Sequence, residues 1–143
     1  MNAAPIIIER TFHLPAKKVW EAISNRDQME KWYFNLAAFV PEKDFSFSFM
    51  GGPDGRQYKH LCTITDAVTE KKLSYSWRYE GYEGNSEVTF ELFPEEGGTK
   101  LRLTHTGLGS FPPNPDFARQ NFVDGWTYII LTSLPGYLEA EKA

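Results

Sequence analysis

The chain has 143 residues, a formal net charge of −4, a single cysteine and an aromatic content of 15%. That length supports one domain with a core of useful size. The acidic balance with scattered basic residues excludes nucleic acid as the main partner, and Cys62 alone excludes an internal disulfide or a cysteine-based zinc cluster.

In chain order, residues 5–14 read as a strand with Ile6, Ile8 and Phe12 on one face. Pro15 suits the start of a helix over residues 16–25, which places Val19, Trp20 and Ile23 on one side. A short helix over 27–32 follows, with Met29 and Trp32 apolar and Asp27 as its predicted cap. Phe45, Phe47 and Phe49 alternate with Ser46 and Ser48, the pattern of a half-buried strand. Residues 51–55 (GGPDG) carry turn chemistry throughout. Four further strands are predicted over 58–65, 73–80, 87–93 and 99–106. Their one-parity sets are His60, Cys62 and Ile64; Leu73, Tyr75, Trp77 and Tyr79; Val88, Phe90 and Leu92; and Leu101, Leu103 and His105. Turns at 81–85 and 95–98 make an antiparallel meander. The first strand, set apart by helices, is expected to pair at an edge or to close the curve. Residues 107–115 (GLGSFPPNP) read either as a stiff connector or as a gate over one end of an interior space.

The last segment, residues 116–140, repeats apolar side chains at Phe122, Trp126, Ile129, Ile130, Leu134, Tyr137 and Leu138. Gaps of three and four put one broad apolar stripe on a helix of ~37 Å at 1.5 Å per residue. Pro135 lacks an N–H and its ring crowds the carbonyl of Leu131, and Gly136 weakens the same turn. A kink is predicted there, or a helix that ends near Leu134 with a separate final turn. The resulting fold class is α+β: a curved antiparallel sheet gripping a long C-terminal helix, with two short helices after the first strand. No basic-then-apolar opening resembles a leader, and no apolar run approaches the ~20 residues that span a bilayer. A single soluble, cytoplasmic domain is expected.

This order, and three local patterns, carry a resemblance. They are residues 15–25 followed by Lys31-Trp32-Tyr33; Thr89-Phe90-Glu91-Leu92 with residues 98–107 (GTKLRLTHTG); and Gly125-Trp126 with Leu134, Tyr137 and Leu138. Together they resemble the START-like, or SRPBCC, helix-grip superfamily. Within it the chain is similar to the branch of homologues of the activator of the heat-shock chaperone ATPase. The resemblance implies a deep apolar cavity between sheet and helix, often with a bound ligand, and a heat-shock chaperone as a candidate partner.

The predicted ligand-binding set follows the inward parity. Phe47, Phe49, Tyr75, Trp77, Tyr79, Phe90 and Trp126 form the aromatic interior, part plug and part wall, completed by Trp32, Phe122, Ile130 and His105. A strongly curved sheet and one helix reach interior density only if large side chains fill the space. The hydroxyls of Tyr75, Tyr79 and Tyr137 then need partners. A few polar tips in apolar walls are what a small-molecule site looks like. His105 and His60 share the inward parity, where each reads as a hydrogen-bonded core histidine or as an anchor for a ligand's polar head. His13 ends its strand and is expected to be exposed. The three histidines show no metal-binding spacing, and no GxSxG element is present. Glu87 and Glu91 fall on the outward parity. Arg78 does too, and enters the pocket only if the register slips by one residue. The expected function is non-enzymatic binding of a small hydrophobic or lipid-like molecule, with no cofactor. A co-chaperone role and a cyclase-like enzyme, with His105 as its base, are the alternatives.

Overall fold

The computed structural model describes residues 5–33, 36, 38–51 and 57–142. Six strands form one antiparallel sheet: β1 (Ile6–Phe12), β2 (Ser46–Gly51), β3 (Tyr58–Val68), β4 (Lys72–Tyr79), β5 (Ser86–Glu95) and β6 (Gly98–Thr106). Their order across the sheet is β1-β6-β5-β4-β3-β2. The first strand thus lies at an edge, paired with β6 from Ile6 opposite His105 to Phe12 opposite Thr99. Burial alternates along the strands, strictly so in β2 and β6, because successive side chains point to opposite faces. The register of β3 against β4 shifts between Ile64 and Asp66, a bulge that bends the strand and increases its twist. Of the predicted GGPDG turn only Gly51 is described; residues 52–55 lie outside the described residues.

Between β1 and β2 run α1 (Ala16–Ser24) and α2 (Arg26–Trp32). Val19, Trp20 and Ile23 of α1 are buried, as their spacing requires. The cap of α2 differs from expectation. Asn25 is its N-cap, with a side chain that accepts from the Gln28 backbone N–H at 3.1 Å, while Asp27 sits inside the first turn and pairs with Arg26. The helix begins one residue earlier than predicted, so its orphan N–H groups face Asn25.

After β6, two 3-10 turns (Leu108–Ser110 and Pro115–Phe117) lead into the C-terminal helix. The helix starts at Arg119 rather than 116, because the Asn114 side chain accepts from the Asp116 N–H and closes a separate turn. The helix does not end at Leu134. It runs as α3 (Arg119–Tyr128), a π turn (Ile129–Ser133) and α4 (Leu134–Lys142). The Leu134 N–H bonds to the Ile129 carbonyl, and this wider turn directly before Pro135 relieves the crowding its ring would cause in a regular helix. Phe122, Trp126, Ile130, Leu134 and Leu138 are its buried stripe, laid across the inner face of the sheet. Among the described residues no helix is long and apolar enough to cross a membrane.

Candidate functional site

The predicted residues are all buried in the core between sheet and helix. Phe47 and Phe49 of β2 project from one edge, Tyr75, Trp77 and Tyr79 of β4 from the middle, and Phe90 of β5 beside them. Trp126 descends from the helix onto this surface, 5.6 Å from Trp77 and 6.0 Å from Phe90 between ring centroids. Those rings pack on one another, and no guest fits between them at that spacing. Phe49 stacks on His60 at 4.4 Å and meets Trp77 edge-on at 5.7 Å, and Phe47 meets Tyr75 edge-on at 5.1 Å. Trp32 donates from its indole nitrogen to the Ala22 carbonyl at 2.9 Å, which fixes α2 against α1. Ile130 is fully buried in the π turn, and Phe122 lies edge-on to His105 at 5.3 Å.

His105 is a fully hydrogen-bonded core histidine. Its Nδ1 accepts from the Trp126 indole N–H at 2.9 Å, and its Nε2 lies 2.8 Å from the Ser86 hydroxyl. The Ser86 hydroxyl donates to the Trp77 carbonyl at 2.8 Å, so it accepts from His105, and the proton of the neutral imidazole resides on Nε2. Burial lowers its pKa to about 3. His60 is also buried and donates from Nδ1 to the Tyr58 carbonyl at 3.0 Å. Desolvation brings its pKa down to about 4. His13 is exposed, and Arg78 faces outward at the rim of a shallow depression with Ser46, Ser48, Lys59 and Thr63. Among the described residues no group of three His, Cys, Asp or Glu side chains is arranged to hold a metal ion.

The polar tips within the aromatic walls satisfy one another. Trp77 donates from Nε1 to the Tyr79 hydroxyl at 2.9 Å. The Tyr75 hydroxyl, on a fully buried side chain, lies 2.6 Å from that of Tyr33. Burial pushes both phenols well above their ordinary pKa. Tyr33 is the residue that the sequence reading missed. It follows α2 directly and belongs to no periodic element, so no spacing assigned its side chain to the interior. Yet it touches Trp32 at 5.1 Å, Phe49 at 5.9 Å and Trp126 at 6.1 Å. Tyr137 is half-buried.

The loop over residues 107–118 is fastened over the opposite end of the interior. Phe111 and Phe117 are buried against Tyr79 at 5.3 and 4.6 Å. Ser110 accepts from the Asn85 N–H and donates to its carbonyl, and the Tyr58 hydroxyl donates to Asp116. A stack of aromatic rings with reciprocal hydrogen bonds describes a sealed end, which favours the connector over the gate. The Asn-Pro pair at 114–115 was the available signal that Phe117 precedes the helix.

A sequence profile of the family described as Activator of Hsp90 ATPase homolog 1-like protein matches residues 13–139. The solved structure of protein MLL2253 from Mesorhizobium loti is 25% identical, with a TM-score of 0.78 over 96% of this chain and 98% of that one. The solution structure of BH1534 from Bacillus halodurans is 26% identical, with a TM-score of 0.70 over 89% and 91%. DynU16, a protein in the dynemicin biosynthetic locus, shares the fold at 20% identity and a TM-score of 0.75, over 94% of this chain and 47% of its own. No functionally curated protein matches. With most of its length inside the family profile and the helix-grip fold in place, the chain belongs to the Activator of Hsp90 ATPase homolog 1-like family.

Proposed function

We propose that this protein binds a small hydrophobic or amphipathic molecule between its sheet and its C-terminal helix, and does so without catalysis. The observation that carries this reading is the Tyr33–Tyr75 hydroxyl pair at 2.6 Å within walls of Trp and Phe: a polar anchor in an apolar surround. The contact of Trp77, Phe90 and Trp126 supports a ligand position beside Trp126, on the Tyr33 and Phe49 side. Burial of apolar area at roughly 25 cal/mol per Å² supplies affinity before ordering costs. His105 has both ring nitrogens engaged, which argues against a base in reach of a substrate. Native mass spectrometry of the purified protein, then a thermal-shift panel of lipids and aromatic metabolites, tests the reading. A retained or stabilising hydrophobe supports it; no bound species and no shift from any member rejects it.

A second reading, contact with a heat-shock chaperone, draws on the family match and on Tyr128 and Leu131. These stand exposed one turn apart on the outer side of the C-terminal helix, at 61% and 39%. An ATPase assay of the chaperone with and without this protein decides it, unchanged turnover being the negative result.

A further inference from the structure

We propose that Tyr33 is a built-in occupant of the ligand site: its phenol fills a slot that a flat hydroxyaromatic guest takes over when Tyr33 swings out. This rests on the ligand-binding reading above and adds to it the site, the moving part and the chemical class of the guest.

Tyr33 is the residue immediately past α2, with φ −121° and ψ −123°, outside both helix and strand. It is half-buried, while the rings around it are buried. Its side chain reaches from this half-buried position to a hydroxyl buried against Tyr75, and rotation about its own bonds is the movement that would vacate the slot without unfolding α2 or the sheet. The slot belongs to other elements: Trp32 from α2, Phe49 from β2 and Trp126 from the helix. Trp126 lies nearly parallel to the phenol, at an interplanar angle of 20°. A slot with one stacking wall and two tilted walls selects a planar ring.

Among the described residues the hydroxyl of Tyr75 bonds to Tyr33. Other polar groups of the interior have partners of their own: the chain Trp126–His105–Ser86–Trp77, the Trp77–Tyr79 pair, His60 with the Tyr58 carbonyl and Trp32 with the Ala22 carbonyl. When Tyr33 leaves, the buried Tyr75 hydroxyl loses this bond. An unpaired buried hydroxyl is costly, so the favoured guest returns a hydroxyl to the same place. The guest copies the phenol it displaces: a flat aromatic body ending in one hydroxyl.

The test uses the whole chain with 3-fluorotyrosine at position 33, titrated with 2-naphthol and with naphthalene. Expected with 2-naphthol is a fluorine resonance that moves from a buried to a solvent-exposed position as the complex forms. Naphthalene should bind about tenfold more weakly, the equivalent of one hydrogen bond, and Tyr75→Phe should bring the two affinities to within about twofold. If 2-naphthol binds and the Tyr33 signal stays in place, the ligand reading survives and the displacement is overturned. If it binds Tyr33→Ala but not the natural chain, Tyr33 is fixed and the proposal is again overturned. If it binds neither, the slot does not exist, while the ligand panel above judges the broader reading separately.

Discussion

The indole N–H of Trp126 is bonded to Nδ1 of His105 at 2.9 Å, which leaves the proton of that imidazole on Nε2, toward Ser86. The helix is thus joined to the sheet through a neutral histidine. His105 and His60 keep pKa values near 3 and 4 in the fold and return to about 6.5 on unfolding. Below about pH 6.5 the unfolded chain takes up protons that the fold refuses. Their contribution to stability is complete above that pH and falls as pH drops toward 3, by up to about 1.4 kcal/mol per unit per histidine. Urea titrations between about pH 7 and pH 4 should show the decline, and His105→Gln should make it shallower. Equal slopes in both proteins would refute the assignment.

The π turn and Pro135 form a second testable pair. Deleting the exposed Thr132 shortens the wide turn to a regular one and leaves Leu134 and Leu138 facing inward. It also restores the clash between the proline ring and the carbonyl four residues earlier. The deletion alone should cost about 3 kcal/mol, and the deletion combined with Pro135→Ala should recover most of it in urea denaturation. Equal losses in both would show that the turn exists for some other reason.

The bond from Tyr58 to Asp116 fastens the loop at the sealed end. It is the first cause that raises the Tyr58 pKa, so the protonated phenol belongs to the folded form and the bond is lost as pH rises through that raised value. Tyr58→Phe should increase amide hydrogen exchange at residues 108–117 near neutral pH, with β4 and β5 unaffected. Unchanged protection would mean that Phe111 and Phe117 suffice.

Two glycines separate strain from crowding. Gly81 and Gly84 both have positive φ, at 82° and 103°, but a Cβ on Gly81 meets nothing within 4 Å. At Gly84 it would lie 2.6 Å from the Ser110 carbonyl oxygen and 2.7 Å from Phe111. Gly81→Ala should cost about 1–2 kcal/mol, the backbone price alone, and Gly84→Ala clearly more, read as Tm by calorimetry. Equal shifts would place the loop elsewhere.

Much of the sheet was legible because period-two burial leaves few alternatives: Phe47 and Phe49, or Tyr75, Trp77 and Tyr79, have one face on which to lie. Features set by single local contacts were not. The cap passed from Asp27 to Asn25 through one side-chain bond, and Tyr33 entered the interior from a stretch without periodicity. The spacing within the helix carries a further signal. Phe122, Trp126, Ile130, Leu134 and Leu138 recur every four residues and are buried, whereas Ile129 and Tyr137 are half-buried. At 3.6 residues per turn, each step of four drifts by about 40°. A strict four-residue stripe of that length stays in line only if a wider turn absorbs the drift, and the π turn does so.

The pairing of β1 with β6 reaches beyond the folded state. The Glu9–Arg102 contact across these strands joins residues 93 apart in sequence. During synthesis β1 leaves the ribosome long before β6, the strand it pairs with, exists, and so it waits with that edge bare. Closure of the sheet falls late, after the central hairpins, and folding is slow for a chain of this size. Newly made chains are therefore exposed to strand-to-strand aggregation until β6 has emerged.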